Sequence, residues 1–129
     1  MSLKDKEKWN SKYEVDEYIT GKEPSHWLKD NAGLLAKSGK ALDIAGGEGR
    51  NSVFVASKGY EVTCLDISEN GLRKAQALAQ EKNAKITTIL ADLDSNSLKE
   101  NEYDLILCFN FLERSLFSGI HQALKPGGL

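Results

Sequence analysis

Apolar residues are scattered over the first forty positions and then gather into short runs. Residues 41–45 (ALDIA), 60–66 (YEVTCLD), 86–90 (ITTIL) and 103–109 (YDLILCF) are nearly continuous apolar stretches, the pattern of strands buried on both faces rather than on one. Between them the spacing turns helical, predicting helices over about 50–58, 69–82 and 114–124. Ser68 ahead of Glu69 fits a helix N-cap, because its hydroxyl can accept from a backbone N–H of the first turn. The Ala-rich run that follows has strong helix propensity. Lys125-Pro126-Gly127-Gly128 closes the last helix, since proline cannot continue it and glycine suits the turn beyond. A polar connection through Lys99 joins the third and fourth strands. Strands alternating with helices predict an α/β fold with a parallel sheet covered on both faces.

The first forty residues are polar and carry Trp9, Tyr13, Tyr18 and Trp27, with a turn signal over residues 21–24. They predict one or two short helices packed on a body that begins at Lys40. This divides the chain into an N-terminal helical cover, 1–39, and an α/β domain, 40–129. At the other end, Leu129 looks like the start of another strand. With right-handed crossovers and a central first strand, strand 103–109 lies outermost, and its long apolar edge is expected to be bare. The expectation is therefore a piece of a larger domain, or a homo-oligomer formed through that edge.

At 129 residues and 40% hydrophobic, the chain suffices for one domain with a modest core. A net charge of −2 leaves no basic footprint for nucleic acid. No segment is apolar and long enough to cross a membrane, and the charged N-terminus lacks the apolar core of a secretion signal, so a cytoplasmic address is expected. Cys64 and Cys108 fall inside strands without CxxC spacing and read as buried reduced thiols. His26 and His121 are scattered, and no metal site is expected.

The candidate chemistry lies in residues 40–50, KALDIAGGEGR: a strand ending near Asp43, a turn at Gly46, Gly47 and Gly49, then a helix starting near Arg50. Glycines let the backbone turn sharply and approach a ligand closely, and the helix start offers unpaired N–H groups to an electron-rich group. The next strand ends in Asp66, where a carboxylate can accept from two ribose hydroxyls. Together they point to a cofactor containing a nucleoside.

With these residues the chain resembles the class I S-adenosylmethionine-dependent methyltransferases. ALDIAGGEGRN resembles that family's first motif, CLDIS its ribose-binding acid, ADLD (91–94) the acid that meets adenine, YDLILCFNFLE (103–113) the fourth-strand motif and LKPGGL (124–129) the turn into a fifth strand. WNSKYEVDEYITGKEPSHWL (9–28) and FLERSLF (111–117) are similar to the tellurite-resistance and thiol-methyltransferase branch. The resemblance implies a Rossmann-like, doubly wound, three-layer α/β/α sheet, here lacking the family's last strands. It implies S-adenosyl-L-methionine as cofactor and a small-molecule methyl acceptor. As cofactor-binding residues it implies Asp43, Ala45, Gly46, Gly47, Gly49, Arg50, Asp66, Ile67, Asp92, Leu93 and Asn110. Ala45 departs from the pattern, standing where the family has its first glycine, and is expected to be tolerated at a negative φ. Trp9, Tyr13 and Trp27 are candidates for a lid. Two other readings stay open: a non-catalytic module built on a shortened methyltransferase-like domain, and a nicotinamide-dependent oxidoreductase, which also uses a glycine turn and a ribose acid.

Overall fold

Each nearly continuous apolar run becomes a strand, and the four strands form one parallel sheet in the order β3-β2-β1-β4. The computed structural model describes residues 3–91, 98–109 and 117–129. Its strands are β1 (Gly39–Ile44), β2 (Tyr60–Asp66), β3 (Ile86–Leu90) and β4 (Leu105–Cys108). Its helices are α1 (Leu3–Lys12), α2 (His26–Asp30), α3 (Arg50–Ser57), α4 (Glu69–Glu81) and α5 (Phe117–Ala123). A short 3-10 turn, Ala32–Leu34, follows α2.

The central position of β1 explains why its last four residues are all buried. Ala41 belongs to the larger core, with Val62 and Cys64 of β2, Leu105 and Leu107 of β4, Val53 and Val55 of α3, and Leu72 and Leu78 of α4. Leu42 and Ile44 belong to a smaller core with Leu65, against which Ile106 and Ile120 of α5 pack. Helices α3 and α4 thus cover one face and α5 the other, which makes three layers. Leu42 and Ile44 are completely enclosed, and burial of each stabilises the fold by about 1.5–3 kcal/mol.

Ser68 caps α4 as its sequence predicts, accepting from Gly71 N. Strand β4 is shorter than the predicted 103–109: Asp104 N still donates to Lys40 O, but the return bond from Lys40 goes to the side chain of Asp104. Its Oδ2 accepts from Lys40 N at 2.8 Å, and Tyr103 makes only an isolated parallel bridge with Leu124. The outer edge of β4 is not bare over this stretch, which corrects the expectation above. Leu129 N donates to Asp104 O, Ile106 N to Leu129 O and Lys125 N to Tyr103 O, so the segment after α5 already pairs there. Cys64 is buried as expected, whereas Cys108 is only half-buried, since it lies at the end of β4. His26 and His121 are exposed. Among the described residues no helix is long and apolar enough to cross a membrane, and no acid, cysteine and histidine cluster could hold a metal.

Candidate active site

The parallel strands bring their carboxyl ends to one edge, where the glycine loop 45–49 leaves β1. Gly46 N donates to Leu65 O at 3.0 Å, holding the chain against β2 for one residue more. Ala45 has φ +55°. The expected negative φ is therefore wrong: a methyl-bearing residue sits in the left-handed region, at a cost of about 1–2 kcal/mol relative to glycine-like freedom. The sharpness of the turn imposes this, since Gly46 must tuck against Cys64 Sγ and Asp43. Gly47 (φ +58°) lies under the Tyr13 hydroxyl, which would stand 2.7 Å from any Cβ there. Gly49 (φ +86°) is the N-cap of α3, and its Cβ would meet that of Ala75 at 2.6 Å. Both positions need glycine for conformation and for space.

Asp43 and Asp66 hold this loop from beneath. Asp43 Oδ2 accepts from Ser52 Oγ at 2.7 Å, tying β1 to the first turn of α3. Burial pushes its carboxyl up to about 7, opposed by the bond from Ser52 and reinforced by the neighbouring Asp66. Asp66, only 5% exposed, accepts from Gly47 N at 2.8 Å through Oδ2 and from Ser68 N at 2.9 Å through Oδ1. Burial raises its carboxyl despite these backbone bonds. The Ile67 backbone bonds the same carboxyl, which leaves Asp66 one of its four acceptor directions for a hydroxyl. Beside it, Ile67 lines a cleft of about 350 Å³ with Leu90 and Ala91 from the end of β3 and Leu3 and Lys6 from α1.

The N-terminal segment lies over this edge. Asn10 Oδ1 accepts from Asn70 N and Ser68 Oγ, which docks α1 on the start of α4. Trp9 and Tyr13 stack with centroids 5.6 Å apart, and the Tyr13 ring packs where a Cβ of Gly71 would be. Burial, then Asp66 and Glu48, raise the Tyr13 phenol, so it stays a neutral donor. Trp27 is not part of that stack. It pairs with Phe109, past the end of β4, at 5.9 Å, and 60% of it is exposed. The three aromatics of the predicted lid therefore form two separate groups.

Of the predicted cofactor residues, Asp43, Ala45, Gly46, Gly47, Gly49, Asp66 and Ile67 converge on this edge. Arg50 starts α3, and its Nη1 donates to Thr20 O at 3.2 Å, a contact with the cover. Asp92, Leu93 and Asn110 lie outside the described residues, as do Phe111, Glu113 and Arg114. The sequence reading missed Glu48, Lys74, Asn51 and Asn10, which join the cover to the loop, to α3 or to α4. Lys74 could have been found: it lies on the stripe of α4 that buries Gly71, Leu72, Ala75 and Leu78, where a charge needs a partner.

Residues 41–128 match the family model described as Methyltransferase domain. The chain is 35% identical over 89 residues to the "Probable S-adenosyl-L-methionine-dependent methyltransferase TehB" of Haemophilus influenzae, covering 67% of this chain and 31% of that protein. It is 32% identical over 108 residues to the "Ubiquinone biosynthesis O-methyltransferase" of Aromatoleum aromaticum, covering 79% and 45% respectively. The chain thus spans less than half the length of either relative. Among solved structures, a SAM-dependent methyltransferase from Geobacter sulfurreducens in complex with S-adenosyl-L-homocysteine superposes with a TM-score of 0.75 at 19% identity. That superposition covers 94% of this chain and 52% of the other, and at such identity the likeness concerns the fold.

Proposed function

We propose that this chain, which belongs to the class I S-adenosylmethionine-dependent methyltransferase family, binds S-adenosyl-L-methionine at the carboxyl edge of its sheet and passes the methyl group to a small-molecule acceptor. The observation that carries the reading is the clasp between the glycine loop and the ribose acid. Gly47 donates its N–H to Asp66 Oδ2, so the close-approach backbone and the hydroxyl acceptor are built as one surface.

The residues present fit this cofactor. The Tyr13 hydroxyl lies over Gly47 and must give way for a ligand to reach that backbone, Asp66 retains an acceptor direction for a ribose hydroxyl, and the cleft beside Ile67, with its apolar Leu3, Leu90 and Ala91, suits the flat face of adenine. Asp43 is the nearby acid for an ammonium group, directly or through water. When bound, S-adenosylmethionine supplies a methyl already activated on a sulfonium. The protein's part is alignment and exclusion of water. Tyr13 and Trp9 shield the loop, and the loop backbone fixes the position of the amino-acid end. Trp27 and Phe109 give the far side of the site an aromatic wall, which favours the positive charge of the sulfonium. A thiolate or other soft anion as acceptor would need no strong base.

Isothermal titration with S-adenosylhomocysteine tests the site, with NAD as control and Asp66→Asn as variant. Asparagine keeps an acceptor for one backbone N–H but turns its amide toward the other, at about 1–3 kcal/mol, so the variant is titrated only after its thermal transition shows it folded. The expected result is binding of the thioether nucleoside alone, weakened about tenfold or more in the variant, the scale of one charge-assisted bond. A folded protein that binds NAD instead, or neither compound, would sink the proposal.

A further inference from the structure

The glycine loop carries one charged residue, Glu48, and its side chain is completely buried on the side away from solvent. It receives four hydrogen bonds. Oε1 accepts from Thr20 N at 2.9 Å and Thr20 Oγ1 at 2.7 Å. Oε2 accepts from Ile19 N at 3.1 Å and from Lys74 Nζ at 2.9 Å. Lys74 also donates to Glu17 O at 2.6 Å, and the Tyr18 hydroxyl donates to Lys74 O at 2.7 Å. Two further side chains of the same motif, GGEGRN, reach the same segment: Arg50 bonds Thr20 O and Asn51 Oδ1 accepts from Ser25 N. The motif is therefore divided. Its backbone meets Asp66, and its polar side chains grip Ile19, Thr20 and Ser25.

Burying an ion pair is costly, and an apolar pair of equal volume commonly serves stability as well or better. Stability alone is thus a poor reason for a glutamate between two cofactor-loop glycines. What Glu48 adds is a link. The segment it holds follows Tyr13, whose hydroxyl lies over Gly47, and precedes Trp27, which rests on Phe109. Holding residues 17–20 fixes both aromatic groups relative to the loop.

We propose that Glu48, with Lys74, is a positioning latch that makes the N-terminal cover part of the cofactor site, so that ligand binding at the glycine loop and closure of the cover favour each other. Such coupling is reciprocal: whatever loosens the cover must weaken the ligand by the same factor. The inference rests on the cofactor reading above, and neither residue need touch the ligand.

The test is the affinity of the full chain for S-adenosylhomocysteine in wild type, Glu48→Gln, Thr20→Val and the double variant, each measured well below its own Tm. Thr20 is exposed, so Thr20→Val loosens the latch without stranding a buried charge. The expected result is about a tenfold loss for Glu48→Gln and about threefold for Thr20→Val, through faster dissociation. The double variant should lose less than the product of the two, because both act on one contact. Unchanged affinity in the folded variants, or losses that multiply in full, would overturn the latch. Should Glu48→Gln fail to fold, Thr20→Val decides: weaker binding at unchanged Tm supports the proposal and unchanged binding refutes it. If wild type does not bind the nucleoside, the cofactor reading fails on its own. Hydrogen exchange at the Ile19 and Thr20 amides then decides the latch, with faster exchange in Thr20→Val supporting it and equal exchange refuting it.

Discussion

The glycine loop and the cover that lies on it are held by different physics. Loop 45–49 is fixed by covalent geometry and close packing: positive φ at Ala45, Gly47 and Gly49, and no space for side chains at Gly47 or Gly49. The early part of the cover is held largely by polar side chains that reach it from far along the chain, Glu48 to Thr20 and Lys74 to Glu17, with Tyr13 buried beside them and Leu28, farther on, in the core itself. α1 itself has no fully buried residue. Segment 3–20, where directional bonds dominate, is the part expected to open locally without unfolding the core. The rigid part and the releasable part of the site thus meet at the glycine motif, beside the contacts of the cover with α4.

The contrast breaks first at Gly49. Gly49→Ala combines a left-handed φ with overlap on Ala75, and should cost about 3 kcal/mol in urea denaturation; a loss under about 1 kcal/mol would mean that the loop gives way easily. Next is the pH dependence of the acids beneath the loop. The folded Asp43 carboxyl, at about 7, lies above its ordinary 3.8, so the folded state holds the proton longer. Stability should decline as pH rises from about 4 to 7 and then level off. Asp43→Asn, which keeps an acceptor for Ser52, should flatten that slope in Tm against pH; an equal slope in both proteins would contradict the assignment. Glu48 has the opposite sign. Burial would raise its carboxyl, but Lys74, Thr20 and Ile19 together hold it below the usual range. Its contribution is present above its unfolded value and is lost as pH falls through the lower folded one, so acid should open the cover before the core.

Smaller effects sharpen the comparison. Ala45→Gly relieves the left-handed alanine and should stabilise the fold by about 0.5–1 kcal/mol, the strain relieved less the entropy added to the unfolded chain; destabilisation would show that the methyl contributes packing instead. Asn10→Ala removes the acceptor for Asn70 N and Ser68 Oγ. Global stability should fall by less than about 1 kcal/mol, while amide exchange over residues 3–13 quickens. A large global loss would make the cover part of the core.

What the sequence made legible divides along the same line. Strands 60–66 and 86–90 and the Ser68 cap follow from period and local chemistry, so their bounds could be read directly. The loop was legible because glycine reports a backbone requirement at its own position. Ala45 was misread because an alanine does not announce a positive φ; only the packing of Gly46 against Cys64 does. The β4 bounds failed through Asp104, a side chain that takes the Lys40 N–H. The latch was invisible because its partners are 26–57 positions apart, and no local pattern records such a bond. Trp9 and Trp27 looked alike as aromatics, yet one stacks on Tyr13 and the other on Phe109.

Hydrogen exchange of the wild-type chain with and without S-adenosylhomocysteine tests most directly whether loop and cover form one ligand site. The account predicts that the Gly47 amide and the Ile19 and Thr20 amides gain protection together as ligand is added, with one midpoint. Protection confined to the loop, with residues 17–20 exchanging as before, would contradict it.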